Sequence, residues 1–197
     1  MTRIPMGKTL GVILAGGLAT RMGGGDKPLR RIAGRPMLAH LVERLRPQVD
    51  ALLLNANGDP ARFAAYDLPV APDPIPGNLG PLVGILAGLD HATEKNFDWV
   101  LTCPGDTPFI PPDLATRLHA ACRQDSTLVA RASSGGQDHP PVALWATSLR
   151  DTLRTAINHG ERQPRRFADS LGCATVEWDA QPSDPFFNAN TPEDLEP

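Results

Sequence analysis

At 197 residues, with 41% hydrophobic and 21% charged, the chain is long enough for one sizeable core and ordinary for a soluble globular protein. Its net charge of −3 argues against general affinity for nucleic acid or acidic membranes, so any positive charge with a role must be local. No apolar run reaches the length of a membrane span, and residues 1–9 lack the apolar centre of a secretion signal. Cys103, Cys122 and Cys173 form neither a CxxC pair nor an even framework. The expectation is a reduced, cytoplasmic protein without a structural zinc site.

The first element is a short apolar run, 10–14, which reads as a buried parallel strand. Ala15, Gly16 and Gly17 follow with almost no side chain. A polar, glycine-rich loop then carries Arg21, Gly23, Gly24, Gly25, Asp26, Lys27 and Pro28. Small residues let backbone approach a ligand and offer it N–H groups. Arg21 and Lys27 add positive charge, so the loop suits a polyphosphate. It is not a Walker A motif, because no Ser or Thr follows Lys27. It is not G-x-G-x-x-G, because Gly23 and Gly25 lack a glycine three residues on.

Residues 29–35 read as a short extended piece bending at Gly34. Pro36 suits the first turn of a helix on which Met37, Leu38, Leu41, Val42 and Leu45 recur at helical spacing. A strand over 51–54 is stopped by Asn55, Asn57 and Gly58. A short helix over 60–66, a brief strand over 68–71 and a proline- and glycine-rich loop over 74–80 follow. The helix from 81 to about 94 has Leu82, Ile85, Leu86 and Leu89 on its apolar face. A strand over 99–102 leads into Cys103, Pro104, Gly105 and Asp106. Next come a helix over 112–123 and a strand over 127–130 paired with 142–145. The polar link between them, SSGGQDHP, reads as an exposed connection. Helices over 147–158 and 164–170, a strand over 174–178 and a last turn capped by Thr191 complete the chain.

Strands alternating with helices predict the α/β class: a three-layer α/β/α arrangement, mostly parallel sheet, in one domain spanning 1–197. Ligands of such sheets bind beyond the carboxyl ends of the strands. Leu14, Ala15, Gly16, Gly17, Asn55, Asp73 and Asp106 each follow a strand and should share one rim.

Asp106 suits Mg²⁺, which prefers oxygen ligands and takes one or two carboxylates plus substrate phosphates. The alternative is a turn aspartate bonding its own backbone before Pro108. Asn55 and Asp73 can select a base edge or a ribose; otherwise they are a turn residue and a loop cap. The run 79–84 either lets backbone approach a ligand or packs Gly84 closely. His139 reads as a structural turn residue, and Cys103 as a buried cysteine at a strand end.

The pattern L-A-G-G-x-x-x-R-M-G-x-x-D-K-P-L resembles the signature loop of nucleotidyltransferases with the Rossmann-like nucleotide-diphospho-sugar transferase fold. With LLLNAN, VAPDPIPGNLGPLVGIL, LTCPGDTPFIPPDL, DHPPVALW and FFNANTPEDL following in order, the sequence resembles the molybdenum cofactor guanylyltransferase family. The resemblance implies transfer of GMP from GTP to molybdenum-bound molybdopterin, giving the guanine dinucleotide cofactor and pyrophosphate. It implies GTP contacts at Leu14, Ala15, Gly16, Lys27, Asn55, Asp73 and Asp106, with Asp106 as Mg²⁺ ligand. Asn188 and Asn190 fall in the segment the family places near the pterin. Arg21, Lys27 and Asp106 with its Mg²⁺ would stabilise charge building on the α-phosphate during in-line attack. The arginines of ERQPRRF read as a solvated helix start that could attract an anionic pterin. Transient partners implied are a molybdenum-insertion protein and apo-molybdoenzymes or their chaperones. The rivals are a molybdopterin cytidylyltransferase, whose loop usually reads L-A-A-G, a sugar-phosphate nucleotidyltransferase, and a non-catalytic nucleotide or cofactor carrier.

Overall fold

In the first strand, β1 (Thr9–Leu14), every residue but Leu14 is buried, as an apolar run at the centre of a sheet must be. The computed structural model describes residues 7–16, 26–77 and 79–188. A two-stranded ribbon, β2 (Arg31–Ile32) and β3 (Arg35–Pro36), turns at Ala33 and Gly34, both at positive φ. Then come α1 (Met37–Leu45), β4 (Ala51–Asn55), β5 (Val70–Ala71), α2 (Pro81–Glu94) and β6 (Trp99–Pro104). The second half holds α3 (Leu114–Asp125), β7 (Val129–Ser134), β8 (Gln137–Ala146), α4 (Arg150–Asn158), α5 (Pro164–Ser170) and β9 (Ala174–Trp178). Pro36 ends β3, paired with Arg31, so α1 starts one residue later than its proline suggests. The 60–66 helix is a 3-10 turn, Pro60–Tyr66, capped by the Asp59 carboxylate accepting from Ala61 N at 2.9 Å.

The main sheet has seven strands in the order β5-β4-β1-β6-β8-β7-β9. Pairings β5/β4, β4/β1, β1/β6 and β7/β9 are parallel; β8 alone runs antiparallel, between β6 and β7. The α/β, mostly parallel expectation holds with that one inserted strand. Neighbouring residues of β1 show the layers, since successive side chains in a strand point to opposite faces. A Cβ on Gly11 would lie 3.3 Å from Leu45 of α1, whereas Val12 lies 2.8 Å from a Cβ placed on Gly88 of α2. Helices therefore cover both faces, and α2 sits close because Gly88 has no side chain.

The supposed exposed link SSGGQDHP is instead the tip of a hairpin. Ser133 and Ser134 lie buried in β7, and β8 begins at Gln137. Gly135 (φ 54°) and Gly136 (φ 76°) form the two-residue turn, whose handedness matches the strand twist. Polarity hid the strands, because the serine hydroxyls find partners inside the fold rather than in water. His139 accordingly lies in a strand and not in a turn.

Cys103 and Cys122 are buried among the core side chains. Burial pushes the Cys103 thiol far up and the Cys122 thiol to about 12, so neither is a thiolate near neutral pH. Among the described residues no helix is long and apolar enough to cross a membrane.

His119 on α3 is a half-buried titratable group away from the rim. Its Nε2 lies 2.9 Å from Thr9 Oγ1, and its ring meets the edge of Trp99 at 5.3 Å. Burial, then the Arg123 charge, hold its pKa below the ordinary value of 6.5, against an opposing pull from Asp50. An imidazole that is less basic when folded favours the native state above the unfolded pKa. That contribution is lost as pH falls from about 6.5 toward the folded value. His139 is depressed in the same direction, also by burial. Thermal unfolding should therefore occur at lower temperature at pH 5.5 than at pH 7.5, and His119→Gln should flatten that dependence. A variant whose Tm falls as steeply as the wild type would remove His119 from the account.

Candidate active site

The carboxyl ends of β1, β4 and β6 are tied into one rim by backbone bonds. Ala15 N donates to Asn55 O at 2.8 Å, and Gly105 N donates to Leu14 O at 2.9 Å. After the loop, a 3-10 turn, Lys27–Leu29, folds back against this rim. It can do so because Gly105 has no side chain: a Cβ there would sit 2.6 Å from Pro28 Cγ. That contact brings the residues beside it together, and Lys27 Nζ forms an ion pair with Asp106 Oδ2. Both side chains are more than four-fifths buried, at 15% and 18% exposure, so the pair is only weakly screened by solvent.

A cavity of about 500 Å³ opens on this rim, a size suited to a nucleotide. Leu14, Gly16, Asn55, Asp73 and Asp106 of the expected rim line it, and Lys27 joins them; Gly17 lies outside the described residues. Among the described residues a Cβ on Gly16 would meet nothing within 4 Å. Ala15 is buried beside the wall rather than on it. Arg21 and Asn190 lie outside the described residues, as does the cap at Thr191.

Asn55 does more than stop a strand. It is 3% exposed, and its Nδ2 donates to Asp73 Oδ1 at 3.0 Å and to Ala71 O at 3.3 Å. The parallel register of β4 on β5, Asn55 opposite Ala71, makes this reach possible. Gly84 leaves room for it: a Cβ there would be 2.3 Å from Asn55 Oδ1. Close packing of Gly84 and the backbone approach of Gly80 to the cavity thus coexist.

Asn57 is a site residue that sequence reasoning treated only as a turn former. Its Nδ2 donates to Asp73 Oδ2 at 2.7 Å, and its Oδ1 accepts from Asp73 N at 2.9 Å. The signal was the N-x-N spacing at the end of β4. Both Asp73 oxygens are held by amides, so the carboxylate is aimed rather than free to rotate. Arg62 joins the two lobes of the rim, pairing with Asp26 at 3.0 Å and donating to Asn57 O.

Asn188 meets the residue that follows Asp106. Its Oδ1 accepts from Thr107 Oγ1 at 2.7 Å, one residue from Asp106. Arg165 and Arg166 are exposed and partnered: Arg165 reaches Asp138 at 3.3 Å and Arg166 reaches Glu161 at 3.6 Å. Arg162 O nevertheless lies 3.5 Å from a Cβ built on Gly80, so this basic stretch borders the cavity.

Among the described residues no group of three or more His, Cys, Asp or Glu side chains could hold a metal by itself. A cation at Asp106 would need its other ligands from substrate phosphates and water. A carboxylate such as Asp106, facing a nucleotide-sized cavity, fits the oxygen donors that Mg²⁺ takes with a nucleoside triphosphate.

The MobA-like NTP transferase domain matches residues 11–175. The chain belongs to this family. It is 54% identical over 190 residues to a molybdenum cofactor guanylyltransferase of Rhodopseudomonas palustris (strain BisB5), covering 95% of this chain and 90% of the relative. It is 46% identical to the molybdenum cofactor guanylyltransferase of Rhizobium meliloti (strain 1021), covering 93% and 87%. In fold the MobA-like domain matches molybdopterin-guanine dinucleotide biosynthesis protein A from Archaeoglobus fulgidus, with TM-score 0.73 and 23% identity over 94% of each chain. It also matches 4-diphosphocytidyl-2C-methyl-D-erythritolsynthase from Anaerococcus prevotii, with TM-score 0.72 and 14% identity over 95% and 92%. The two structures establish the MobA-like domain's architecture, a nucleotide-diphospho-sugar transferase fold; at such identities they say nothing of substrate.

Proposed function

We propose that this protein transfers GMP from GTP to molybdenum-bound molybdopterin, forming the guanine dinucleotide cofactor and releasing pyrophosphate. The observation that carries the reading is the meeting of Lys27 and Asp106 on the wall of one rim cavity, in a chain so similar to molybdenum cofactor guanylyltransferases. We read residues 1–197 as one nucleotidyltransferase domain. The reading includes Mg²⁺ as cofactor, action in the cytoplasm, and transient contact with a molybdenum-insertion protein and with apo-molybdoenzymes or their chaperones.

Each residue has work suited to its place. Gly16 offers backbone to the triphosphate. Asp73, aimed by Asn55 and Asn57, accepts hydrogen bonds. Guanine presents N–H donors on its base-pairing edge and ribose presents hydroxyls, so either suits this carboxylate. Without substrate the Lys27 ammonium is neutralised by Asp106. When a triphosphate enters, Lys27 exchanges the carboxylate for an α-phosphoryl oxygen, where charge grows as the bond to pyrophosphate breaks. Asp106, released from Lys27, would hold Mg²⁺, which would supply positive charge to the triphosphate. The attacking group is a phosphate oxygen of the pterin, already anionic near neutral pH, so no strong general base is needed.

A panel of GTP, CTP, UTP and ATP tests this, each with Mg²⁺ and molybdenum-loaded molybdopterin, reading pyrophosphate release. GTP should exceed the others by at least ~10²-fold in kcat/KM, since a site built to hydrogen-bond one base leaves its polar groups unpaired with another. Preference for CTP would identify a cytidylyltransferase. GTP binding without pyrophosphate release would identify a carrier.

A further inference from the structure

The segment 184–188 crosses from the β7–β8 hairpin to the Asp106 loop and is anchored at both ends. At the first end, Ser134 Oγ donates to Asp184 Oδ1 at 2.7 Å. His139 Nε2 lies 2.7 Å from the same hydroxyl oxygen. A hydroxyl that donates to a carboxylate must accept from the imidazole, so the ring carries its proton on Nε2. Asp184 Oδ1 also accepts from Phe186 N at 2.9 Å, and Asp184 O accepts from Phe187 N at 3.2 Å, which closes a turn. Phe186 is 2% exposed, between the rings of His139 at 4.9 Å and Trp178 at 5.3 Å. At the second end, Asn188 accepts from Thr107, a fully buried neighbour of Asp106.

We propose that Ser134, His139 and Asp184 form a positioning clip for nucleotidyl transfer. They seat the 184–188 segment and, through Asn188 and Thr107, fix the loop that carries Asp106 at the cavity. The inference rests on the functional reading above. Two features separate the clip from ordinary sheet packing. The sheet does not need the Ser134 hydroxyl: its backbone already pairs with Gln137 across the hairpin. The hydroxyl and the imidazole instead meet a segment some 50 residues away in sequence. His139 stands two residues along β8 from Pro141, which lines the cavity, so the clip borders the site.

The test compares wild type, Ser134→Ala, Asp184→Ala and Asp184→Asn. The amide of Asp184→Asn keeps an oxygen for Ser134 and for Phe186 N, so it is the rescue variant. The readouts are kcat and KM for molybdenum-loaded molybdopterin, the Kd for GTP, and Tm. Ser134→Ala and Asp184→Ala should lower kcat/KM for the pterin by ~10- to 100-fold, because small displacements of reacting groups carry penalties of that order. GTP affinity should stay within about two-fold, and Asp184→Asn should recover most of the loss. Wild-type kcat/KM in Ser134→Ala would overturn the clip, even where Asp184→Ala fails to fold. So would a loss shared equally by GTP affinity and pterin turnover, which marks a merely structural role. A wild-type protein that makes no dinucleotide would overturn the functional reading and this inference with it. Turnover in the wild type, matched by the variants, would overturn this inference alone.

Discussion

Asp106→Ala should remove Mg²⁺-dependent turnover, lowering kcat by ~10³-fold or more while the fold persists. Asp106 is the described carboxylate that both faces the cavity and contacts the loop cation. Without it a cation would lose the carboxylate that meets Lys27, and the α-phosphate would lose orientation as well as neutralisation. Stability should fall as well, by about 1–3 kcal/mol, because the Lys27–Asp106 pair is mostly buried and only weakly screened. Asp106→Asn separates charge from shape, since it preserves the contact with the loop but removes the anionic ligand. It should be nearly as inactive as the alanine variant. A kcat titrated against Mg²⁺ that follows the wild-type curve in either variant would contradict the assignment.

Lys27→Ala should lower kcat by ~10²- to 10³-fold, the range found when a donor to developing oxyanion charge is removed. The Lys27–Leu29 turn should stay where it is, because Pro28 packs against Gly105 without help from the lysine side chain. Lys27→Arg should restore only part of the rate: a planar fork replaces a compact point charge next to a carboxylate that must also reach a metal. The variant has a second expected signature. Lys27 competes with any cation for Asp106, so Lys27→Ala should bind Mg²⁺ at least as tightly as wild type when no nucleotide is present. Near-normal turnover in Lys27→Ala, or much weaker Mg²⁺ binding without nucleotide, would refute the exchange of partners. The two substitutions act on one contact, so the double variant should lose less than the sum of the singles.

The parts of the fold that sequence reveals are those governed by local chemistry. The helix Pro81–Glu94 is delimited by its proline and apolar face, and the strand Ala174–Trp178 by its turn-flanked run. The rim itself follows from topology, since strand ends of a parallel sheet point one way, and Lys27 and Asp106 do converge there. What stayed hidden depends on partners far along the chain. Ser133 and Ser134 look like loop residues until Asp184 is seen accepting from one of them. Asn55 and Asn57 look like turn residues until the β4/β5 register brings Asp73 between them. His139 likewise needs Phe186 and Ser134 beside it before its place in a strand makes sense. In each case a polar side chain is satisfied by a contact that no local pattern encodes.

The most direct test of the rim as a nucleotide site is a crystal structure of the protein with GTP and Mg²⁺. The account predicts the metal on Asp106, Lys27 Nζ turned from that carboxylate to the triphosphate, and Asp73 against the nucleoside. A triphosphate bound elsewhere, with the Lys27–Asp106 pair undisturbed, would contradict it.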